Sequence, residues 1–243
     1  MSPSSGSDLA HFYHVACGNR RTTTVWRPAA EDHFRLLAAA GFTGEVRVGL
    51  VGSWNYAMVF RQWLADAWPS AEICATQEYG NEQVTLERLR QYACAHPESL
   101  ISYAHPKGSY HATERQDNWR KAMEAACTTE WRQRVEDLRD HDAVGLHWLA
   151  ERRFFGGNFW WATARYLSTL PSPRGDRHDA EAWIGLGNPH VLALSTDLPQ
   201  YPGDDPRPDP ANIPFTPQQM PKGTPGVTQK LLLTLSPPWP PSG

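Results

Sequence analysis

Three stretches of this 243-residue chain combine residue types and spacings that could carry chemistry. In YAHPKGSYH, Lys107 precedes Gly108 just past an apolar run, with His105 two positions earlier. A cation beside a flexible backbone turn can hold an anion such as a diphosphate, although a loop lysine also serves simply as a solvated charge. The segment from Phe154 to Gly187 opens with the paired glycines Gly156 and Gly157, then Asn158, Phe159, Trp160 and Trp161. Paired glycines allow a backbone path closed to other residues, and flat aromatic faces stack well on a sugar ring. The same aromatics would equally fill a core beside a tight turn. Farther along, Asp179 and Glu181 stand two apart, so they share a direction on an extended segment and diverge on a helix. A carboxylate in a partly apolar pocket, as Trp183 and Ile184 suggest, acts as a general base on a hydroxyl; near a helix start it would instead be a solvated partner of the dipole.

Other chemistries find less support. Ten histidines include His105, His111, His141 and His147 near acidic residues, but no HExxH or comparable ligand spacing occurs, so no metal residues are assigned. There is no Walker motif, no GxGxxG and no GxSxG. Cys17 and His14 lie on one strand-like run that would orient them apart, against a Cys–His nucleophile. The four cysteines, Cys17, Cys74, Cys94 and Cys127, show no CxxC spacing and read as buried free thiols.

Composition narrows the class further. Hydrophobic residues make up 40%, charged residues 20% and the net charge is −3, which excludes a disordered chain and a polycation that coats nucleic acid. MSPSSGSDLA resembles no secretory signal and no run approaches the ~18 apolar residues of a membrane span, so the expected setting is reducing and cytoplasmic, with peripheral membrane contact open. Thirteen of the 21 prolines lie between Pro199 and Pro241. That density predicts an extended or disordered tail over 199–243, its KLLLTLS run free to pack on the body, join a sheet edge or touch a membrane. Residues 1–10 are expected to be a flexible start and 11–198 one domain.

These residues need a scaffold, and the hydrophobic pattern supplies one. HFYHVACGN, EVRVGLVGS, AEICAT, LISYAH and AVGLHWL read as strands. Between them lie helical patterns over Glu31–Ala40, Asn55–Trp68 and Val84–Tyr92, and a long helix over about Arg115–Leu138. Strands alternating with helices imply βαβ units and a mostly parallel sheet flanked by helices. Ligands then collect at the carboxyl ends of the strands, where Asn19, Ser53, Gln77 to Asn81 and His105 to His111 fall.

Taken in order, HFYHVACGN, WNYAMVF, YAHPKGSYH, NWRKAM, AVGLHWL, FGGNFWWA and RHDAEAWIG resemble glycosyltransferase-like proteins of the GT-A type from bacteria and phages, including relatives of the rhamnan synthesis protein F family. The resemblance spans roughly His11 to Leu198. Its motifs fall here on His105, Pro106 and Lys107, on Trp119 and Arg120, and on Gly156 to Trp161. It implies an α/β fold: a single Rossmann-like GT-A domain followed by the Pro-rich tail. It further implies transfer of a sugar from a nucleotide sugar to a hydroxyl of a glycan, polysaccharide precursor or protein. Asn19, His105 and Lys107 would bind the donor, His105 and Lys107 near the diphosphate. Gly156, Gly157, Asn158, Trp160 and Trp161 would bind the acceptor. Asp179 or Glu181 would be the base, giving inversion.

One departure from that family concerns the metal. His105, Pro106 and Lys107 stand where the usual Asp-x-Asp would be, so a lysine in place of manganese or magnesium is expected to stabilise the leaving group. Asp140 and Asp142 have the Asp-x-Asp spacing but precede a strand, at the opposite edge. The alternative function is a non-catalytic carbohydrate-binding or assembly protein on the same fold, with its carboxylates turned away from the aromatics. A hydrolase built on the histidines would need three ligands at a common point. No nucleic-acid partner is expected.

Overall fold

The computed structural model describes residues 8–18, 25–109, 113–175, 177–195 and 218–219. Strand β1 (Leu9–Ala16) leads to helix α1 (Arg27–Ala39), β2 (Glu45–Val51), α2 (Trp54–Ala67), β3 (Glu72–Gln77), α3 (Gln83–Ala95) and β4 (Leu100–Ala104). The second half is more broken. Helix α4 (Glu114–Glu124) passes through a π-helical turn (Ala125–Thr129) into α5 (Trp131–Asp137), followed by β5 (Ala143–Gly145) and a small hairpin of β6 (Trp148–Leu149) and β7 (Phe154–Phe155). Then come β8 (Trp160–Thr163), α6 (Ala164–Leu167), α7 (Arg177–Ala182) running into a 3-10 turn (Trp183–Gly185), β9 (Val191–Ala193) and β10 (Gln218–Gln219).

The main sheet has the order β10-β9-β5-β8-β4-β1-β2-β3. Strands β1 to β4 are mutually parallel, β8 is antiparallel between β4 and β5, and β9 is parallel to β5. The fold is therefore α/β with a mostly parallel sheet covered on both faces. Alternation along the strands sends Tyr13, Val15, Val48, Leu50 and Trp161 into a core shared with α1, α2 and α4, and Phe12, Ile101, Tyr103 and Trp160 into one shared with α3, α6 and α7. After β1 the chain builds β2 and β3 on one side and then crosses to β4 on the other, which makes the β1/β4 boundary the topological switch point.

Several expected boundaries shift. Of the expected flexible start 1–10, Leu9 pairs with Leu100 and Ala10 is fully buried, while residues 1–7 lie outside the described residues. Helix α1 begins at Arg27 instead of Glu31, its first turn preset by Pro28, whose missing N–H costs nothing there. The expected single helix over Arg115–Leu138 is interrupted by the π turn, which buries Ala126, Cys127 and Thr128. AVGLHWL divides into β5 and β6, since Leu146 and His147 leave the sheet to enter the hairpin. Cys17 and Cys127 are buried thiols as the pattern suggested, whereas Cys94 is exposed. Of the tail, Gln218–Gln219 pairs antiparallel with Leu192–Ala193, and the rest of 199–243 lies outside the described residues. No helix among the described residues is long and apolar enough to cross a membrane.

Candidate functional site

Strand β4 delivers YAHPK to the switch-point edge. Past Ala104 the chain turns tightly, the Lys107 N–H donating to the His105 carbonyl at 2.7 Å. Gly108 follows at φ 80°, where a β-carbon would press on the Gln116 side chain of α4. Because β8 runs antiparallel to β4, with Tyr103 opposite Trp160, the turn before β8 arrives at the same edge. That turn is Gly156–Gly157–Asn158, with φ 86° at Gly157 and 57° at Asn158. A β-carbon on Gly157 would collide with Met123 and Trp119 of α4, so the glycine is required both by its backbone and by its neighbours.

Hydrogen bonds tie the two loops together. His105 Nε2 lies 3.0 Å from the Gly157 carbonyl oxygen, and its ring packs on Phe159. Asn158 Nδ2 donates to Glu82 Oε2 at 2.6 Å and Tyr103 OH donates to the same oxygen at 2.9 Å. Trp160 Nε1 completes the set by donating to Asn158 Oδ1 at 2.8 Å. Glu82 is buried at the start of α3. Burial, the largest influence, would raise its pKa, but His105, His14, the Asn158 hydrogen bond and Lys107 together hold it below the usual carboxylate value. Nearby, His14 bonds Thr85 Oγ1 at 2.8 Å and is pushed down to about 4, chiefly by burial, with Glu82 opposing.

Among the residues singled out from sequence, His105, Lys107, Gly156, Gly157 and Glu181 come together here. Lys107 Nζ stands 3.7 Å from Glu181 Oε1 of α7, both side chains about a fifth exposed. Asp179 is separated from them: α7 is helical, so residues two apart diverge, and Asp179 lies exposed with its carboxylate folded back over Gly175. The aromatic surface expected for the acceptor is corrected by burial. Trp160 is 0% and Trp161 1% exposed, one in each core, and Trp161 Nε1 donates to the Cys127 carbonyl at 2.7 Å. Asn158 is likewise buried and spent on Glu82, so these three side chains build the turn and present nothing to a ligand. Asn19 and His111 lie outside the described residues. Asp142 caps the other edge of the sheet, its Oδ2 accepting the His190 N–H at 2.8 Å. Cys17 is buried, its thiol pushed up to about 12 by that burial, which leaves it without nucleophilic thiolate. Among the described residues no group of three or more His, Cys, Asp or Glu side chains could hold a metal ion.

Sequence reasoning passed over a second polar cluster, on the α1/α4 face. His11 Nδ1 bonds Ser102 Oγ at 2.7 Å, and His11 Nε2 lies 2.9 Å from His33 Nε2. His33 stands 3.5 Å from Glu124, which pairs with Arg120, and Arg120 also reaches Asp32 and Asp117. Burial drives Glu124 up to about 7: Arg120 opposes the rise, but Asp32 and Asp117 share that cation and reinforce it. Glu82 and Glu124 carry no distinguishing signal in sequence, since each sits among polar neighbours as a solvated helix glutamate would. The Trp119–Arg120 pair was legible as a motif, and it serves structure here, Trp119 against the glycine turn and Arg120 within the ion cluster.

Residues 12–190 match the family described as "Domain of unknown function (DUF8361)", and the chain belongs to that family. No curated protein matches the chain. Among solved structures, a 4-diphosphocytidyl-2C-methyl-D-erythritol synthase aligns over 75% of this chain and 86% of its own, at 12% identity and a TM-score of 0.41, a distant likeness.

Proposed function

We propose that this member of the DUF8361 family is a nucleotide-sugar-dependent glycosyltransferase whose donor binds at the carboxyl edge of β1 and β4. One observation carries the reading: His105, Lys107, the Gly156–Asn158 turn and Glu181 meet at one edge, the switch-point edge where open α/β sheets bind ligands. Lys107 is the cation that meets the donor diphosphate and stabilises the leaving nucleotide. Of the two carboxylates, Glu181 is the base for the acceptor hydroxyl, since Asp179 lies exposed and turned away. A donor taking over Lys107 would release Glu181 from its ion pair for that role. The glycine turn is buried like the tryptophans, with its Gly156 N–H bonded to the His147 carbonyl and its Gly157 carbonyl bonded to His105, so it shapes this edge and leaves the acceptor to the exposed side chains around Lys107 and Glu181. A non-catalytic sugar-binding module is less well supported, because it would need the aromatics exposed and the carboxylates turned away.

Thermal-shift titration with UDP, GDP, dTDP and CMP, each with manganese and with EDTA, tests the reading. One nucleotide is expected to raise Tm in EDTA as well as in manganese. The absence of a shift with all four overturns the donor assignment, and a shift in manganese alone overturns Lys107 as the substitute for a metal. Once a donor is identified, Glu181→Gln is expected to lower turnover by about 10²- to 10⁴-fold while Asp179→Asn leaves it near wild type.

A further inference from the structure

The resemblance to GT-A proteins puts His105, with Lys107, near the donor diphosphate. The His105 hydrogen bond argues for a different ligand group. A backbone carbonyl has lone pairs and no hydrogen, so the nitrogen 3.0 Å from the Gly157 oxygen must be the protonated one. In a neutral imidazole that leaves the lone pair on Nδ1. The partner holding this tautomer is itself held: the Gly157–Asn158 turn sits in the left-handed region at both residues, and Asn158 is clamped by Glu82 and Trp160. Glu82 is in turn fixed by Tyr103 OH, one of the last strand residues before His105. The loop bearing His105 and the turn that orients it are thus joined through one buried carboxylate.

A nitrogen lone pair repels phosphate oxygens and accepts from an O–H. We infer that His105 presents Nδ1 as a hydrogen-bond acceptor to a hydroxyl of the bound sugar, not to the diphosphate, and that Glu82 acts as its positioning residue through Asn158 and the Gly157 carbonyl. Lys107 then reads the anion and His105 the sugar, so two adjacent side chains divide the donor between them. The ligand half of this inference rests on the glycosyltransferase reading; the tautomer does not.

Two measurements on the full chain keep those parts separate. In ¹⁵N-labelled protein at pH 7.5, with Nδ1 and Nε2 signals assigned by loss in His105→Ala, His105 is expected as the Nε2–H tautomer. Glu82→Gln and Asn158→Ala are expected to produce a mixture of tautomers while the signals of His11 and His33, on the other face of the sheet, hold their positions. An Nδ1–H or doubly protonated ring in the wild type overturns the inference whatever nucleotides do. The second measurement compares UDP with UDP-glucose, and GDP with GDP-mannose, in wild type and His105→Ala. Loss of one hydrogen bond is expected to weaken the nucleotide sugar by about 3- to 10-fold and leave the free nucleotide unchanged. Equal weakening of both members of a pair places His105 at the diphosphate and overturns the inference. If no nucleotide or nucleotide sugar binds the wild type while the tautomer is as expected, the glycosyltransferase reading and the sugar-hydroxyl role fall together, and only the Glu82-held tautomer survives.

Discussion

The two faces of the sheet near β1 each bury a glutamate, and the two carboxylates are held in opposite ways. Glu82, on the α3 face, accepts from two uncharged donors, Tyr103 and Asn158, with His105, His14 and Lys107 around it, and its pKa falls. Glu124, on the α4 face, has a full cation beside it and its pKa nevertheless rises to about 7. Burial works against ionisation in both. The deciding difference is competition: Arg120 divides its charge among three carboxylates, whereas no second carboxylate opposes the groups around Glu82 to the same extent. Glu82 is thus held ionised by His105 and His14 first and by the Asn158 hydrogen bond and Lys107 after them, whereas the single arginine beside Glu124 is shared. The Gly157–Asn158 turn joins the faces, its glycine packed on α4 and its asparagine bound to Glu82.

The sharpest way to break this comparison is Arg120→Met, which removes the cation and leaves Glu124, Asp117 and Asp32 facing one another. Urea unfolding is expected to show a loss of about 3–5 kcal/mol, the effect of orphaning a buried charge. A loss under about 1 kcal/mol would mean that Arg120 does not hold the cluster. Gly157→Ala attacks the joint. Left-handed backbone costs about 1–2 kcal/mol for a residue with a β-carbon, and the collision with Met123 and Trp119 adds about 1–3 kcal/mol more. Unchanged stability would place the turn outside the packed structure.

Acid titration distinguishes the two glutamates. His14 and His33 are pushed down to about 4 and about 3 by burial, so the unfolded chain binds their protons first, and stability rises with pH between about 4 and 6.5. Glu124 works the other way, because its folded pKa is the raised one: its contribution falls as pH rises from 4.5 towards 7. Glu124→Gln is therefore expected to steepen the gain in stability between pH 5 and 6 by about 1.4 kcal/mol per pH unit. An unaltered slope would remove Glu124 from the titrating set. Glu82→Gln is expected to cost about 1–2 kcal/mol at pH 8, where the carboxylate is ionised. An unchanged stability would mean that Glu82 does not hold the turn. The smallest effect on folding belongs to Lys107→Ala, within about 0.5 kcal/mol, because its ion pair is long and lies at the rim. The same variant is expected to abolish the nucleotide thermal shift, which separates ligand contact from structural support.

Much of the fold was legible because it rests on local periodicity. The first four strands and three helices fall close to where alternating and helical apolar patterns place them, and Pro69 and Pro97 mark two of the helix ends. The π turn was not legible, as the apolar stripe runs through it without a break, and it buries Ala126, Cys127 and Thr128. Of the site, the glycine pair and the Lys107 loop announced themselves by composition, whereas Glu82 and His14 look like ordinary polar residues until the sheet brings α3 against β1.

Residue type and spacing by themselves determined the α/β alternation, the carboxyl edge of the strands and the loops that reach it. Tertiary structure alone decided what those loops present. Trp160 and Trp161 alternate across a strand covered on both faces, so neither ring reaches solvent, and spacing cannot reveal that second cover. Asp179 and Glu181 are interchangeable in sequence until α7 turns one outward and brings the other to Lys107. Periodicity records which face a residue takes within its own element. Which partner meets that face depends on contacts far apart along the chain, such as Glu82 with Asn158 and Lys107 with Glu181, and these arise only when the sheet assembles.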